Sequence, residues 1–318
     1  MPKANISLDL DNLWSYLKVH GENKWKDYPS YLPAFVPLIS EFLERHQLSI
    51  TFFLVGKDLE MEENIPFVRS LSEKGHDFGN HSFVHEPWME RRGEEEIIKE
   101  LKRTETLIEK VTGKRAVGFR GPGFSLSPSM LKAVHALGYS FDSSLFPMSL
   151  SSIARFVYHL SMKDDSKEEK EKRKNLFGKT SNLFYPLKPF EWKMQEGGLL
   201  ELPVTTMPFL RFPIHLSYII WLSGFSKKCA LAYFRTALFL LEKTNTPLSL
   251  LLHPLDFLGG EDVKELSFFP GMQLSRSHKL SIANQVIEAV KSRFDLVSMS
   301  AYADELKKQP LRRMEKRG

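Results

Sequence analysis

The residues in this sequence best suited to chemistry are two aspartates and two histidines. Asp9-Leu10-Asp11 stands near the start, and His81-Ser82-Phe83-Val84-His85 follows well downstream. One carboxylate and two imidazoles make the ligand set of an open catalytic metal site, and a second carboxylate is left over as a base for water activated there. The combination points to a metallohydrolase. Asp9 and Asp11 sit where the β-prone run Asn5-Ile6-Ser7-Leu8 gives way to Asn12-Leu13-Trp14, a strand end of the kind at which barrel folds place chemistry. Asp also serves simply to end strands. The H-x-x-x-H spacing brings both rings to one side if residues 81–85 form a helical turn. His76 and Asp77 read as strand residues rather than ligands, and the other histidines, His215 among them, read as structural or surface groups.

The elements that must position these groups alternate. Ser49–Val55 is a continuous β-branched and aromatic run closed by Gly56, which suits a buried parallel strand. Helices are expected over Pro33–His46 and Ile65–Lys74, the second stopped by Gly75. Glu94–Val111 keeps a 3.6-residue period through Ile97, Ile98, Leu101, Thr104, Leu107, Ile108 and Val111, with Gly113 at its end. A strand at Val117–Phe119, a helix over Pro128–Leu137 and a strand at Tyr139–Phe141 continue the series. After a break it resumes with Leu199–Pro203, a helix over Lys227–Lys243, the strand Leu248–Leu252, a helix over Lys279–Arg293 and Asp295–Val297. Alternation with right-handed crossovers implies a parallel sheet, and the number of units favours a closed or nearly closed barrel. The break, residues 148–198, carries the charge cluster 164–174 and reads as an insertion able to act as a lid. Residues 1–305 are then one α/β unit, with 306–318 a basic tail.

Composition narrows the function classes. At 318 residues and 42% hydrophobic side chains, the chain can bury a large core. The formal charge of +5 is matched by the tail alone, where Lys307, Lys308, Arg312, Arg313, Lys316 and Arg317 face only Glu315. The body is close to neutral and has no basic stripe, which argues against nucleic-acid binding. The tail reads as a solvated terminus, with a weak contact to anionic lipid as the alternative. Cys229 is the only cysteine, so no intrachain disulfide can form. With no charged and apolar leader ahead of the first strand, a cytoplasmic protein is expected. The most apolar stretch, 207–225, contains Arg211, Pro213 and His215 and fails as a spanning helix, though it could lie on a membrane surface.

Five segments in this order resemble the polysaccharide deacetylase family, the NodB-homology or carbohydrate esterase 4 group: Ser7-Leu8-Asp9-Leu10-Asp11-Asn12, His81-Ser82-x-x-His85, Phe119-Arg120-Gly121-Pro122-Gly123, Phe141-Asp142-Ser143-Ser144-Leu145-Phe146-Pro147 and Leu251-Leu252-His253-Pro254. The resemblance implies a distorted (β/α) barrel and metal-dependent removal of an acyl group from an amide, usually the N-acetyl of an amino sugar. It makes Asp9 the base and gives the metal to Asp11, His81 and His85. It further implies that Arg120 orients Asp9, that the Gly123 N–H helps to stabilise the oxyanion, and that His253 is the acid, held by Asp142. The chain departs from the common pattern where Leu10 separates the aspartates and where Gly123 replaces an aromatic residue, and both departures bear on the substrate.

The residue chemistry agrees with these roles. A Zn²⁺-type ion lowers the pKa of bound water toward about 7, and a nearby carboxylate such as Asp9 can take its proton. Co²⁺, Ni²⁺, Mn²⁺ and Fe²⁺ suit the same ligands. His253 could protonate a departing amine, a contribution of roughly 10²–10⁴-fold. The expected substrate is an N-acylated sugar in a glycan, a glycan precursor or a lipid-linked sugar. The alternatives are a small non-peptide amide, as in allantoinase-like relatives, and an inactive carbohydrate-binding relative.

Overall fold

The computed structural model describes residues 1–149 and 180–316. Its frame is a set of parallel strands: β1 (Lys3–Asp9), β2 (Thr51–Leu54), β3 (Asp77–Asn80) and β6 (Leu248–Leu252), in the order β3-β2-β1-β6. Single parallel bridges carry the sheet on from Asn80 to Phe119, to Asp142 and to Glu201 in β5 (Gly198–Glu201). Just beyond β5, Thr205 N–H donates to Ser249 O in β6 (3.2 Å), which closes the ring. The expected barrel is present, with two of its expected strands reduced to single bridges.

Residue alternation explains how one strand serves two layers. Ala4, Ile6 and Leu8 of β1 face the main hydrophobic core, together with Leu248, Leu250 and Leu252 of β6. The intervening Asn5, Ser7 and Asp9 are equally buried but polar. A period of two therefore sends apolar groups to the surrounding helices and polar groups to the barrel interior. Gly79 in β3 is small for a packing reason, because a Cβ there would lie 2.4 Å from the Phe53 ring.

Helices α1 (Leu13–His20), α2 (Leu32–His46), α3 (Ile65–Glu73), α4 (Glu94–Thr112), α5 (Pro128–Ala136), α6 (Leu216–Ser223), α7 (Lys227–Lys243), α8 (Arg276–Lys291) and α9 (Met299–Leu306) follow among the described residues. α4 buries Ile97, Leu101, Thr104, Ile108 and Val111 on one face. Three glutamates open it and left-handed Gly113 caps it, as helix-end electrostatics and backbone freedom favour. No described helix is long and apolar enough to cross a membrane.

The segment expected to be an insertion, 148–198, is only partly described, and its charge cluster at 164–174 lies outside the described residues. The described remainder is more regular than expected. β4 (Phe190–Lys193) pairs antiparallel with β5, which is itself part of the barrel ring. The basic tail is exposed over residues 307–310 and joins a sheet further on. β8 (Arg313–Met314) pairs in parallel with β4, Arg313 donates to Glu191 (3.0 Å), and Lys316 lies over the Tyr185 and Trp192 rings. The ring cluster of Tyr185 and Trp192 gives the tail something to bind, a signal that charge counting cannot register.

Candidate metal centre and active site

Asp9 is the last residue of β1 and Asp11 lies two beyond it; His81 follows β3, Arg120 follows the Phe119 bridge, and His253 follows β6. All five sit at the same, carboxyl, end of the barrel, where strand register converges side chains from distant parts of the chain.

The Asp11 loop is buttressed from below. The Asn12 side chain caps α1 through Leu13 N–H (2.8 Å), and its amide donates to Asp58 (2.8 Å) and to Ser30 (2.9 Å). Trp14 Nε1–H donates to the same Asp58 oxygen (2.7 Å), and Tyr31 O–H donates to the Asp11 carbonyl. Burial pushes Asp58 up to about 7, opposed by the bonds from Asn12 and Trp14. None of these supporting groups had a recognisable spacing in the sequence, because they meet only through the fold.

The histidine pair is arranged differently from expectation. Residues 81–85 form a bend rather than a helical turn, with left-handed backbone at Ser82 (φ 64°) and His85 (φ 47°). The bend is secured by Asn80 Oδ1 accepting from Ser82 N–H (2.9 Å), Ser82 Oγ accepting from His85 N–H (3.1 Å) and Glu100 Oε1 accepting from Phe83 N–H (3.0 Å). Such strained backbone persists only where its surroundings hold it. His81 Nδ1 is 2.7 Å from the Arg120 carbonyl, which makes it the protonated nitrogen and leaves the Nε2 lone pair facing inward.

Asp11, His81 and His85 are buried and bring one ligand atom each within 4.8 Å of one another. His85 Nε2 is 3.0 Å and His81 Nε2 3.4 Å from Asp11 Oδ1. Asp11 Oδ1 and His81 Nε2 are buried without a well-formed hydrogen bond, a costly state for polar atoms unless something else satisfies them. Burial alone would raise Asp11, but His85 and His81 outweigh it and hold the carboxyl well below its usual range. Burial alone would lower His81, but Asp9 and Asp11 overcome it and raise the ring. Carboxylates that draw a proton onto a buried imidazole will favour a cation in its place. The donor set, one carboxylate and two imidazoles, fits a divalent ion with open positions.

Asp9 is beside this cradle and outside the ligand trio. Its Oδ1 accepts from Arg120 Nη1 (2.6 Å), while Oδ2 lies 3.9 Å from both His81 Nε2 and His253 Nε2. Arg120 is fully buried and donates also to Ser7 Oγ (2.9 Å), Ser143 O (3.1 Å) and Ser143 Oγ (2.9 Å), with its guanidinium over the Phe53 ring. Gly123 adopts φ 59°, ψ 21° in the turn after Arg120, a conformation suited to glycine.

Asp142 does not hold His253. It accepts from Ser144 N–H (3.1 Å) and Ser144 O–H (2.7 Å) and faces Glu201, whose carboxyl accepts from Trp192 Nε1–H (2.6 Å). Burial, reinforced by Asp142, raises Glu201 well above its usual value, so the pair keeps a proton and locks the Asp142 turn to β5. His253 meets Ser217 instead, with Nδ1 3.0 Å from Oγ, and its backbone N–H donates to Asp256 (2.8 Å). His215, expected to be a structural or surface residue, has its ring centroid 6.4 Å from that of His253.

Fold and cradle together define a barrel protein with one carboxylate and two imidazoles gathered at its carboxyl rim, a group that could hold a metal ion. Residues 24–141 match the family described as polysaccharide deacetylase. The chain is 30% identical over 110 residues to peptidoglycan-N-acetylmuramic acid deacetylase of Bacillus subtilis, covering 34% of this chain and 41% of that protein. It is also 30% identical over 107 residues to chitooligosaccharide deacetylase of Azorhizobium caulinodans, covering 33% of this chain and 50% of that one. The matches thus span half or less of these relatives' lengths. A solved structure of a candidate polysaccharide deacetylase from Mycobacterium smegmatis covers 100% of this chain and 99% of its own, with a TM-score of 0.61 at 18% identity, a likeness of fold. Asp9, Asp11 and His253 lie outside the matched residues, so the geometry alone brings them to the His81–His85 cradle.

Proposed function

We propose that this protein is a metal-dependent N-deacetylase that removes acetyl groups from amino sugars in a glycan or glycan precursor. The observation that carries the reading is the placement of Asp9 Oδ2 at 3.9 Å from His81 Nε2 on one side and from His253 Nε2 on the other. In this reading Asp9 is the base and His253 the acid, both beside the Asp11-His81-His85 cradle. Asp9, oriented by Arg120, is placed to accept a proton from the water nucleophile; His253 is placed to return one to the leaving nitrogen. The Gly123 N–H is assigned to the developing oxyanion. Bound at Asp11, His81 and His85, a divalent ion, of which we favour Zn²⁺, supplies Lewis acidity toward water and the acyl oxygen. The names of the matched relatives, deacetylases of peptidoglycan and of chitooligosaccharides, support the substrate class.

The test is acetate release by the zinc-loaded protein from chitooligosaccharides, peptidoglycan fragments, lipid-linked N-acetyl sugars and, as a control for small-amide hydrolysis, ureides. Release from one of the glycans and loss of that release in Asp9→Asn is expected. Hydrolysis of ureides alone would overturn the sugar assignment.

A further inference from the structure

The chain from Leu202 to Leu241 contains no aspartate or glutamate, yet it holds Arg211, Lys227, Lys228 and Arg235. In a body otherwise close to neutral this stretch concentrates positive charge, and it is also where large apolar side chains reach the surface. Phe209 and Leu210 are exposed at the tip of a turn closed by the antiparallel Thr206–Pro213 bridge. Phe225, 77% exposed, stands in the turn between α6 and α7. Lys227 and Lys228 follow it in the first turn of α7, both exposed and without an ion pair among the described residues. Cations there oppose the helix dipole, so they do nothing for α7 itself and are better satisfied by an external anion.

Helix α6 has no charged side chain. It buries Leu216, Ile219 and Ile220 toward α7 and α8 and leaves Tyr218 and Trp221 half-buried on its outer side. From the active site outward the rings form a continuous line. His215 lies 6.4 Å from His253, Tyr218 6.3 Å from His215, Trp221 5.6 Å from Tyr218 and Phe225 5.2 Å from Trp221, centroid to centroid. Half-buried Tyr and Trp behind an exposed Phe, with lysines at the edge, match a bilayer interface, where rings sit at the headgroup boundary and ammonium groups meet anionic lipid. A symmetric contact with a second copy would set lysine pair against lysine pair. A neutral glycan laid along the rings would leave both lysines unmatched.

We propose that the α6–α7 turn docks on an anionic lipid bilayer, with Phe225 inserted among the headgroups and Lys227 and Lys228 against their phosphates, so that the line of rings connects the bilayer surface to His253. The substrate such docking serves is an N-acetyl amino sugar carried on a lipid, its sugar at the cradle. That part rests on the deacetylase reading; the docking itself does not.

The experiment measures co-sedimentation of the full chain with vesicles of phosphatidylcholine, alone or with about a quarter phosphatidylglycerol. Binding to the anionic vesicles is expected, weakening with added salt. Phe225→Asp should lower the partition coefficient about tenfold or more, and Lys227→Gln/Lys228→Gln roughly 30-fold, at about fivefold per charge. Brominated lipid should quench tryptophan emission in the wild type and do so less in Trp221→Phe. Near-ultraviolet circular dichroism of each variant should match the wild type, since the altered side chains at 225, 227 and 228 are exposed. No binding to anionic vesicles, or binding indifferent to both surface variants, overturns the docking. So does a finding that Phe225→Asp acts only by raising KM for a soluble chitooligosaccharide or by dissolving a dimer. Acetate release from a lipid-linked N-acetyl sugar should be faster in anionic than in neutral vesicles, and equal rates would overturn the substrate assignment. Vesicle binding without acetate release from any glycan would instead sink the deacetylase reading and uphold the docking.

Discussion

Arg120→Met tests the centre of the site, because it removes the charge and keeps an apolar side chain over Phe53. The substitution deletes four side-chain hydrogen bonds, to Ser7, Asp9 and both oxygens of Ser143, and leaves the Asp9 carboxylate, 4% exposed, facing no cation. Breaking a buried ion pair from one side costs about 3–5 kcal/mol. The unfolding entropy of about 2.1 cal/mol/K per residue amounts to roughly 0.7 kcal/mol/K over this chain, so the expected fall in Tm is about 4–8 °C. Calorimetry of the metal-free protein would measure it. Asp9→Asn/Arg120→Met should recover at least about 1 kcal/mol relative to the sum of the single changes, since both halves of the pair are then neutral. Strict additivity in this cycle would refute the view that Arg120 is buried to serve Asp9. In an activity assay, Arg120→Met should also lower kcat by roughly 10²-fold through misplacement of the base.

The purified chain should carry about one divalent ion, largely absent from His81→Ala and His85→Ala; equal contents by elemental analysis would sink the ligand assignment. With free ion at about a hundred times its Kd, chelation should remove about 2.7 kcal/mol, a Tm drop of about 4 °C by the same conversion, and an unchanged Tm would contradict a folded cradle. Asp9→Asn should keep the ion and lose roughly 10²–10⁴ in turnover, whereas Asp11→Asn should lose both; full activity in Asp9→Asn would reverse their roles. Burial, aided by Lys114 and Lys74, pushes His76 down to about 4 from 6.5. The unfolded chain therefore takes up a proton that the native ring resists. The corresponding stability, roughly 2–3 kcal/mol, is present above pH 6.5 and lost as pH falls toward 4. Urea midpoints of wild type and His76→Gln at pH 7 and 4.5 should show a shallower acid loss in the variant, and parallel losses would exclude His76 as a cause.

How much of this could be read in the sequence depended on whether the signal was local. α7 and β6 occupy the expected residues, because a long 3.6-period face and a bounded run of leucines each declare themselves within one segment. α1, α6 and α9, at eight residues each, went unrecognised, being too short for periodicity to speak. That one carboxylate would join His81 and His85 was legible from residue type and spacing, and the family resemblance singled out Asp11, but the geometry expected for the histidine pair differs from the one observed. A bend held by Asn80, Ser82 and Glu100 brings the rings together, and Glu100 lies on α4, beyond the reach of any local pattern. The partner of His253 was misassigned for a related cause. Asp142 follows a strand-like run and looks available, but Glu201, on the strand expected at Leu199–Pro203, occupies it, a meeting that only the fold creates.

The position of β1 in the ring has a consequence for how the molecule is made. One edge of β1 is covered along residues 4–8 by β6, while the other is shared by β2 at Ser7–Asp9 and β7 (Asp295–Leu296) at Lys3–Ala4. β1 thus finds β2 soon after it is made but pairs with β6 and β7 only once a long stretch of chain has followed it. Pairings of such sequence separation are slow to form and leave strand edges open meanwhile. Asp9 and Asp11 can meet His81 early, but His253 and the closing edge arrive together and late. During synthesis the nascent chain should therefore present an unclosed half-barrel able to gather the cradle before it can gather the acid, and a ribosome stalled short of Leu248 would hold that intermediate for capture.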